Sequence, residues 1–200
     1  MIDRVFAFIV RIVCGIPLQA GGSSHPAGSC IYFANHTSHL DFLLLWSALP
    51  AHQRQRTFPV AGRDYWEKGP IRRFLAKHVF HAVLIERRKV TAASNPMVPM
   101  SRALASGAAL IVFPEGTRSA DGSVQEFKGG LYHLAREHPE AAFVPVYMEN
   151  LNRVLPKGEI LPVPLVASIR FGQPLRLQAG VDKGDFLAQA RNAVLSLRSS

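Results

Sequence analysis

Asn35-His36-Thr37-Ser38-His39-Leu40-Asp41 sets an imidazole and a carboxylate five residues apart, after a short apolar run and at the entry to a second one. The first run reads as a strand and the second as a helix, and such junctions are where α/β folds present reacting groups. A carboxylate on one ring nitrogen fixes the tautomer of the imidazole and stabilises its protonated form, which is the His–Asp half of a nucleophilic triad. With no nucleophile of its own, the pair can take a proton directly from a substrate hydroxyl, a general-base contribution of roughly 10²–10⁴-fold. Taken alone, His36 and Asp41 have a plain rival explanation. The spacing recurs by chance, and Asp is favoured in the first turn of any helix. Thr37 or Ser38 is placed to cap that helix, and His39 reads as exposed or capping.

A second group, Phe113-Pro114-Glu115-Gly116-Thr117-Arg118-Ser119, follows another apolar run. Glycine lets a ligand approach the backbone closely, and the planar fork of arginine matches phosphate oxygens. A solvated turn accounts for Gly116-Thr117 and one charge, but less well for Glu115 and Arg118 together at the mouth of a buried strand.

The elements that must hold these residues are legible in outline. The 200 residues, 48% of them apolar, suffice for one sizeable core and argue against wholesale disorder. Ile31–Ala34, Phe58–Ala61, Ala82–Ile85, Leu110–Phe113, Ala142–Tyr147 and Leu165–Phe171 read as strands. Helices fall at Leu40–Leu49 before Pro50, around Ile71–Lys77, from Asn95-Pro96 to Gly107, near Gly130–Glu137 and from about Asp185 to Leu197. This alternation predicts an α/β fold with a largely parallel central sheet flanked by helices. No internal repeat is visible.

Ile2–Leu18 is apolar apart from Asp3, Arg4 and Arg11, and the two arginines, seven residues apart, share a helical face. The run is short for a span, so it reads as an N-terminal membrane-associated helix lying in the interface with its arginines toward headgroups. A spanning helix and ordinary packing on the core are the alternatives. Residues 1–20 are thus expected to form a membrane-associated segment and 21–200 a single domain, joined through the Gly/Ser/Pro-rich stretch 19–29. The formal charge of +9 suits nucleic acid, an anionic leaflet or phosphorylated substrates, and charge does not choose among them. Cys14 and Cys30 form no C-x-x-C pair, so neither a disulfide framework nor a zinc site is expected, and Cys30 reads as a small buried residue.

His36 to Asp41 resembles the H-x-x-x-x-D motif of the glycerolipid acyltransferase family, which includes bacterial 1-acyl-glycerol-3-phosphate acyltransferases. Asn35 and Phe42 on its flanks are also similar to that family. Phe113–Ser119 resembles the family's F-P-E-G-T-R-S block, and Ala61-Gly62-Arg63 through Ile85-Glu86-Arg87 its second block. Val144-Pro145-Val146 is similar to the fourth, and Phe127-Lys128-Gly129 to the basic step after the third. The blocks stand in family order over roughly residues 31–150, and the ordered set is far more specific than any one of them. Here the second block begins Gly62-Arg63 where Gly-Lys is more usual, and Arg88 beside Arg87 leaves two arginines for one position.

The resemblance implies that His36 is the base and Asp41 its orienting partner. It implies that Arg87, Glu115, Gly116, Thr117, Arg118 and Lys128 shape the acceptor's glycerol-phosphate pocket. It further implies transfer of a fatty acyl group from acyl-CoA or acyl-carrier protein to a lysophospholipid hydroxyl at a membrane surface, with no metal or bound cofactor. The expected acceptor is 1-acyl-glycerol-3-phosphate, with lyso-ornithine lipid as the alternative, and the expected place is the cytoplasmic face of the cell membrane, peripheral or monotopic.

The rivals are poorly supported. No G-x-S-x-G elbow supplies a hydrolase nucleophile, and Ser38 and Ser119 read as capping and structural. Neither G-x-G-x-x-G nor a P-loop points to nucleotide binding, and no finger or RNA-binding signature supports a basic nucleic-acid module, so no nucleic-acid partner is expected. His36-x-x-His39 and His78-x-x-His81 lack partners at metal-site spacing.

Overall fold

The computed structural model describes residues 2–13, 25–38, 41–87, 91, 94–119, 121–149 and 167–198. Among them a six-stranded sheet runs in the order β3-β2-β4-β1-β5-β6. Its strands are β1 (Cys30–Ala34), β2 (Thr57–Gly62), β3 (Val83–Ile85), β4 (Ala109–Val112), β5 (Ala142–Glu149) and β6 (Ser168–Phe171). All pair in parallel except β6, which runs antiparallel to β5 at one edge. The expectation of a largely parallel sheet flanked by helices is met.

β1 lies near the middle, and all five of its residues, Cys-Ile-Tyr-Phe-Ala, are buried. Such an unbroken apolar run suits a parallel strand covered on both faces. Alternate side chains divide between two cores. Cys30, Tyr32, Ala34, Ala109, Ile111, Val144 and Val146 face one way, and Ile31, Phe33, Leu110, Phe143 and Tyr147 the other. Burial pushes the Cys30 thiol up to about 11, in keeping with an inert core residue.

The first core is covered by α1 (Ile2–Val13) and α2 (Asp41–Ala48), the second by α6 (Met97–Ala105), α7 (Gly130–Glu137) and α8 (Lys183–Leu195). α8 buries Phe186, Ala190 and Val194, one residue per turn, and starts where the Asp182 side chain accepts the Asp185 N–H at 2.9 Å. Gly107, at φ 83°, lets the chain leave α6 and enter β4. Between α2 and β3 lie three short helices, α3 (Ala51–Arg54), α4 (Arg63–Trp66) and α5 (Pro70–Phe74). α5 continues into a widened turn, in which Phe80 N–H donates to Leu75 C=O at 3.0 Å, five residues back.

The N-terminal helix departs from one expectation. Arg11 does not turn away from the protein: its Nε donates to the Ser47 carbonyl at 2.7 Å. The last carbonyls of α2 lack helical partners, and a half-buried guanidinium supplies the missing donor. Ala7 and Val10 are buried beside it, while Val5, Phe8 and Ile9 stay half-exposed. No described helix is long and apolar enough to cross a membrane. Cys14, residues 19–24, His39, Leu40, Arg88 and residues 165–166 lie outside the described residues.

Phe186 is fully buried against Phe143, ring centroids 5.9 Å apart. Phe186→Ala should therefore destabilise the chain by about 3–5 kcal/mol, read as a lower urea midpoint at unchanged slope.

Candidate active site

Parallel pairing brings the C-terminal ends of β1 and β4 side by side, with Phe33 opposite Val112. The chain leaves each strand on the same edge, so the turn after Ala34 and the turn after Val112 must meet. They do so at His36.

The His36 ring meets Asp41 at 2.7 Å, Nδ1 to Oδ2. The same Oδ2 accepts the backbone N–H groups of Thr37 at 2.6 Å and Ser38 at 2.9 Å. The buried carboxylate thus closes the turn and holds the imidazole at once. An ionised Asp41 can only accept, so Nδ1 carries the proton and Nε2 keeps its lone pair. Phe113 lies against the ring, centroids 4.2 Å apart and planes 18° from parallel. The ring is therefore fixed both in plane and along its edge.

Glu115 joins from the β4 side. Its Oε1 accepts the His36 backbone N–H at 2.9 Å, while Oε2 is buried with no hydrogen-bond partner among the described residues. Burial is the main cause raising its pKa above the ordinary 4.5. Ser119 N–H closes the loop by donating to the His36 carbonyl at 2.8 Å. The Ser119 hydroxyl donates to Asp121 at 2.7 Å, which gives it a structural role. Behind the site, Asn35 clamps β5: its side-chain amide donates to Met148 C=O and accepts Met148 N–H, both at 2.8 Å.

The cations expected nearby are placed unequally. Lys128 lies over Gly116, its Nζ 2.7 Å from where a Cβ would stand, and the backbone at φ 72° favours glycine there. Arg118 is half-buried on the same loop, with no hydrogen bond or ion pair among the described residues, and Thr117 is exposed. Arg87 instead pairs with Asp64 at 2.9 Å, its guanidinium packed on Gly62 where any Cβ would collide. The structure therefore brings His36, Asp41 and Glu115 into contact, and Gly116 and Lys128 together beside them, while the charge of Arg87 is met elsewhere. Sequence reasoning gave no role to Phe113 and no partner to Arg87. The position of Phe113 immediately before Pro114-Glu115 was the available signal for the first, and Asp64 directly after Gly62-Arg63 for the second.

A second Ser–His–carboxylate set lies between α6 and α7, with Ser101 Oγ 2.7 Å from His138 Nε2 and His138 Nδ1 3.1 Å from Glu140. Ser101 also bonds Glu137 at 2.8 Å and sits inside a helix, where backbone N–H groups are consumed by the helix itself. This set fastens two helices.

An imidazole–carboxylate pair held at the C-terminal edge of a parallel sheet defines a class, the α/β proteins equipped for general-base chemistry. Within that class the chain belongs to the acyltransferase family, whose model matches residues 19–149. It is 29% identical over 179 residues to a 1-acyl-sn-glycerol-3-phosphate acyltransferase of Limnanthes alba, covering 86% of this chain and 59% of that protein. It is 29% identical over 159 residues to the human 1-acyl-sn-glycerol-3-phosphate acyltransferase alpha, covering 78% of this chain and 54% of the relative. The chain thus spans between half and two thirds of the length of these relatives. Its fold is similar to that of the 1-acyl-sn-glycerophosphate acyltransferase PlsC from Thermotoga maritima, with TM-score 0.71, 22% identity, and coverage of 88% of this chain and 70% of that one.

Glu115 yields a test of the geometry. A raised carboxylate pKa means that the native state binds the proton more tightly than the unfolded chain, so this group's contribution falls as pH rises above 4.5. Glu115→Gln keeps an oxygen for the His36 N–H and removes the ionisation. The stability difference between variant and wild type should shift in the variant's favour from pH 4.5 toward neutrality, followed by denaturant melts across that range. Glu115→Ala should lose stability at every pH.

Proposed function

We propose that this chain moves a fatty acyl group from acyl-CoA or acyl-carrier protein to the free hydroxyl of a lysophospholipid, with 1-acyl-glycerol-3-phosphate as the acceptor and phosphatidate as the product. The observation that carries this reading is the 2.7 Å contact of His36 Nδ1 with the buried Asp41 carboxylate, which leaves Nε2 as a base, in a chain of the acyltransferase family.

His36 Nε2 takes the proton of the acceptor hydroxyl as that oxygen attacks the thioester carbonyl. Asp41 stabilises the imidazolium, and the proton then passes to the departing thiolate as the carbon–sulfur bond breaks. Phe113 and Glu115 act as positioning residues, one on the ring and one on the backbone of His36. Arg118 and Lys128 supply charge for a phosphate on the acceptor. Two cations on one loop repel each other, and an anion with several oxygens satisfies both. Gly116 and Thr117 give that phosphate close access to the backbone. Arg87 contributes if an incoming phosphate competes with Asp64 for its guanidinium. The names of the relatives support this acceptor over lyso-ornithine lipid. The half-exposed Val5, Phe8 and Ile9 of α1 support a peripheral position on the membrane, which we place on the cytoplasmic face.

With labelled acyl-CoA and lysophosphatidate, His36→Ala should lower transfer by roughly 10²–10⁴-fold without a matching loss of stability. Asp41→Asn should approach it, because an amide can hold the wrong tautomer and leaves the imidazolium unstabilised. Transfer by His36→Ala within a few-fold of wild type defeats the mechanism.

Arg118 decides the acceptor. A charge-assisted hydrogen bond contributes roughly 1.5–3 kcal/mol, so Arg118→Ala should raise the KM for lysophosphatidate by about 10- to 150-fold and alter donor use less. Wild type should strongly prefer lysophosphatidate to monoacylglycerol, and the variant should lose most of that preference. Equal use of lysophosphatidate, monoacylglycerol and lyso-ornithine lipid by wild type removes the phosphate pocket but leaves acyl transfer standing.

A further inference from the structure

α5 and the widened turn after it carry an unusual surface. Ile71 is 74% exposed and Phe74 57%, although large apolar side chains are normally covered. Helical spacing puts Ile71, Phe74 and His78 on one ridge, and the Phe74 and His78 rings lie 5.1 Å apart. Ala76 and Phe80 point the other way, into the core. Exposed Arg73 and Lys77 flank the ridge on one side. On the other, Arg72 is held over the Tyr65 ring at 4.4 Å. From Lys68 to Ile85 the sequence holds Lys68, Arg72, Arg73, Lys77, His78 and His81 and not one Asp or Glu. Among the described residues none of Arg72, Arg73 and Lys77 has an ion pair, and the neighbouring Glu67 is taken by Arg63 at 2.9 Å.

The segment is tied to the candidate site. α4 begins at the end of β2, on the sheet edge that carries His36. Trp66 packs on Phe42 at 5.3 Å and Phe80 on Phe42 at 5.1 Å, and Phe42 directly follows Asp41. The ridge thus projects from a support whose inner side touches the first turn of α2.

We infer that the Ile71/Phe74/His78 ridge with its flanking cations is a docking surface for an anionic lipid leaflet, separate from the N-terminal helix. An apolar crest bordered by cations with no acidic partner among the described residues, Arg73 donating only to the Glu67 carbonyl at 3.1 Å, matches an interface in which acyl chains lie beneath negative headgroups. A second copy of this chain would meet the patch with the same positive charge and is repelled. The inference extends the membrane location proposed above, and seating the ridge would turn the His36 edge toward the lipid surface.

The test uses the full chain with vesicles of phosphatidylcholine and phosphatidylglycerol, without donor or acceptor. In Phe74→Trp, emission should shift to the blue on vesicle binding and be quenched by lipids brominated in their acyl chains. Val98→Trp, at an exposed site on α6 over the opposite core, should show neither effect. Joint Arg73→Glu and Lys77→Glu should weaken binding to the anionic vesicles by about tenfold or more, with little change on pure phosphatidylcholine, and salt should erase the difference. Unquenched Phe74→Trp on vesicles that bind the protein, or unchanged partition of the charge-reversed variant, overturns the inference. Self-association lost in Phe74→Ser with vesicle binding intact overturns it in favour of a protein partner. Because no turnover is needed, His36→Ala should bind vesicles like wild type, so failure here is separable from failure of the acyltransferase reading.

Discussion

One carboxylate oxygen organises the candidate site. Asp41 Oδ2 receives the imidazole N–H of His36 and the backbone N–H groups of Thr37 and Ser38. Three donors converging on one buried oxygen fix the turn between β1 and α2 and the orientation of the ring together. None of the three can move independently, because the carboxylate sits in the first turn of the helix that follows the imidazole. Asp41 Oδ1 and Glu115 Oε2 are buried without a hydrogen-bond partner among the described residues, so polar desolvation is tolerated here. Such tolerance is characteristic of positions kept for chemistry rather than stability.

The sheet makes this local arrangement coincide with the β4 turn. Register between β1 and β4 fixes how far each chain runs before it leaves the edge, and a slip of one residue would carry Glu115 away from the His36 backbone and turn every side chain to the opposite face. Asn35 locks the same edge to β5 through two bonds to Met148. Strands buried on both faces are thus a positioning device, because their packing leaves no freedom in register for the turns they emit.

Much of this was legible in the residues because the relevant signals are local. The helix expected near Gly130–Glu137 is observed there, and the short apolar runs give the strands to within a few residues. His36, Asp41 and Glu115 were legible through motif spacing, and their contact follows once the strands are neighbours. What escaped depends on long-range packing. Nothing near Arg11 reveals that Ser47 needs a donor, so its apolar surroundings suggested lipid contact. Arg87 finds Asp64 only because β2 and β3 pair, and Phe113 reaches His36 only because β4 lies beside β1. The short α4, α5 and widened turn between β2 and β3 blur any single periodicity, which hid the exposed ridge.

The central position of β1 also bears on how the chain is made. His36 and Glu115 are 79 residues apart, and Asn35 and Met148 113. On a ribosome, β1 leaves the tunnel long before either of its neighbours exists, as five apolar residues with both edges unpaired. Contacts of such high sequence separation form slowly, and unpaired apolar strands are the species that aggregate or recruit chaperones. The element that gives the site its rigidity in the finished molecule is thus one whose two edges stay open until residues 109–149 have been made.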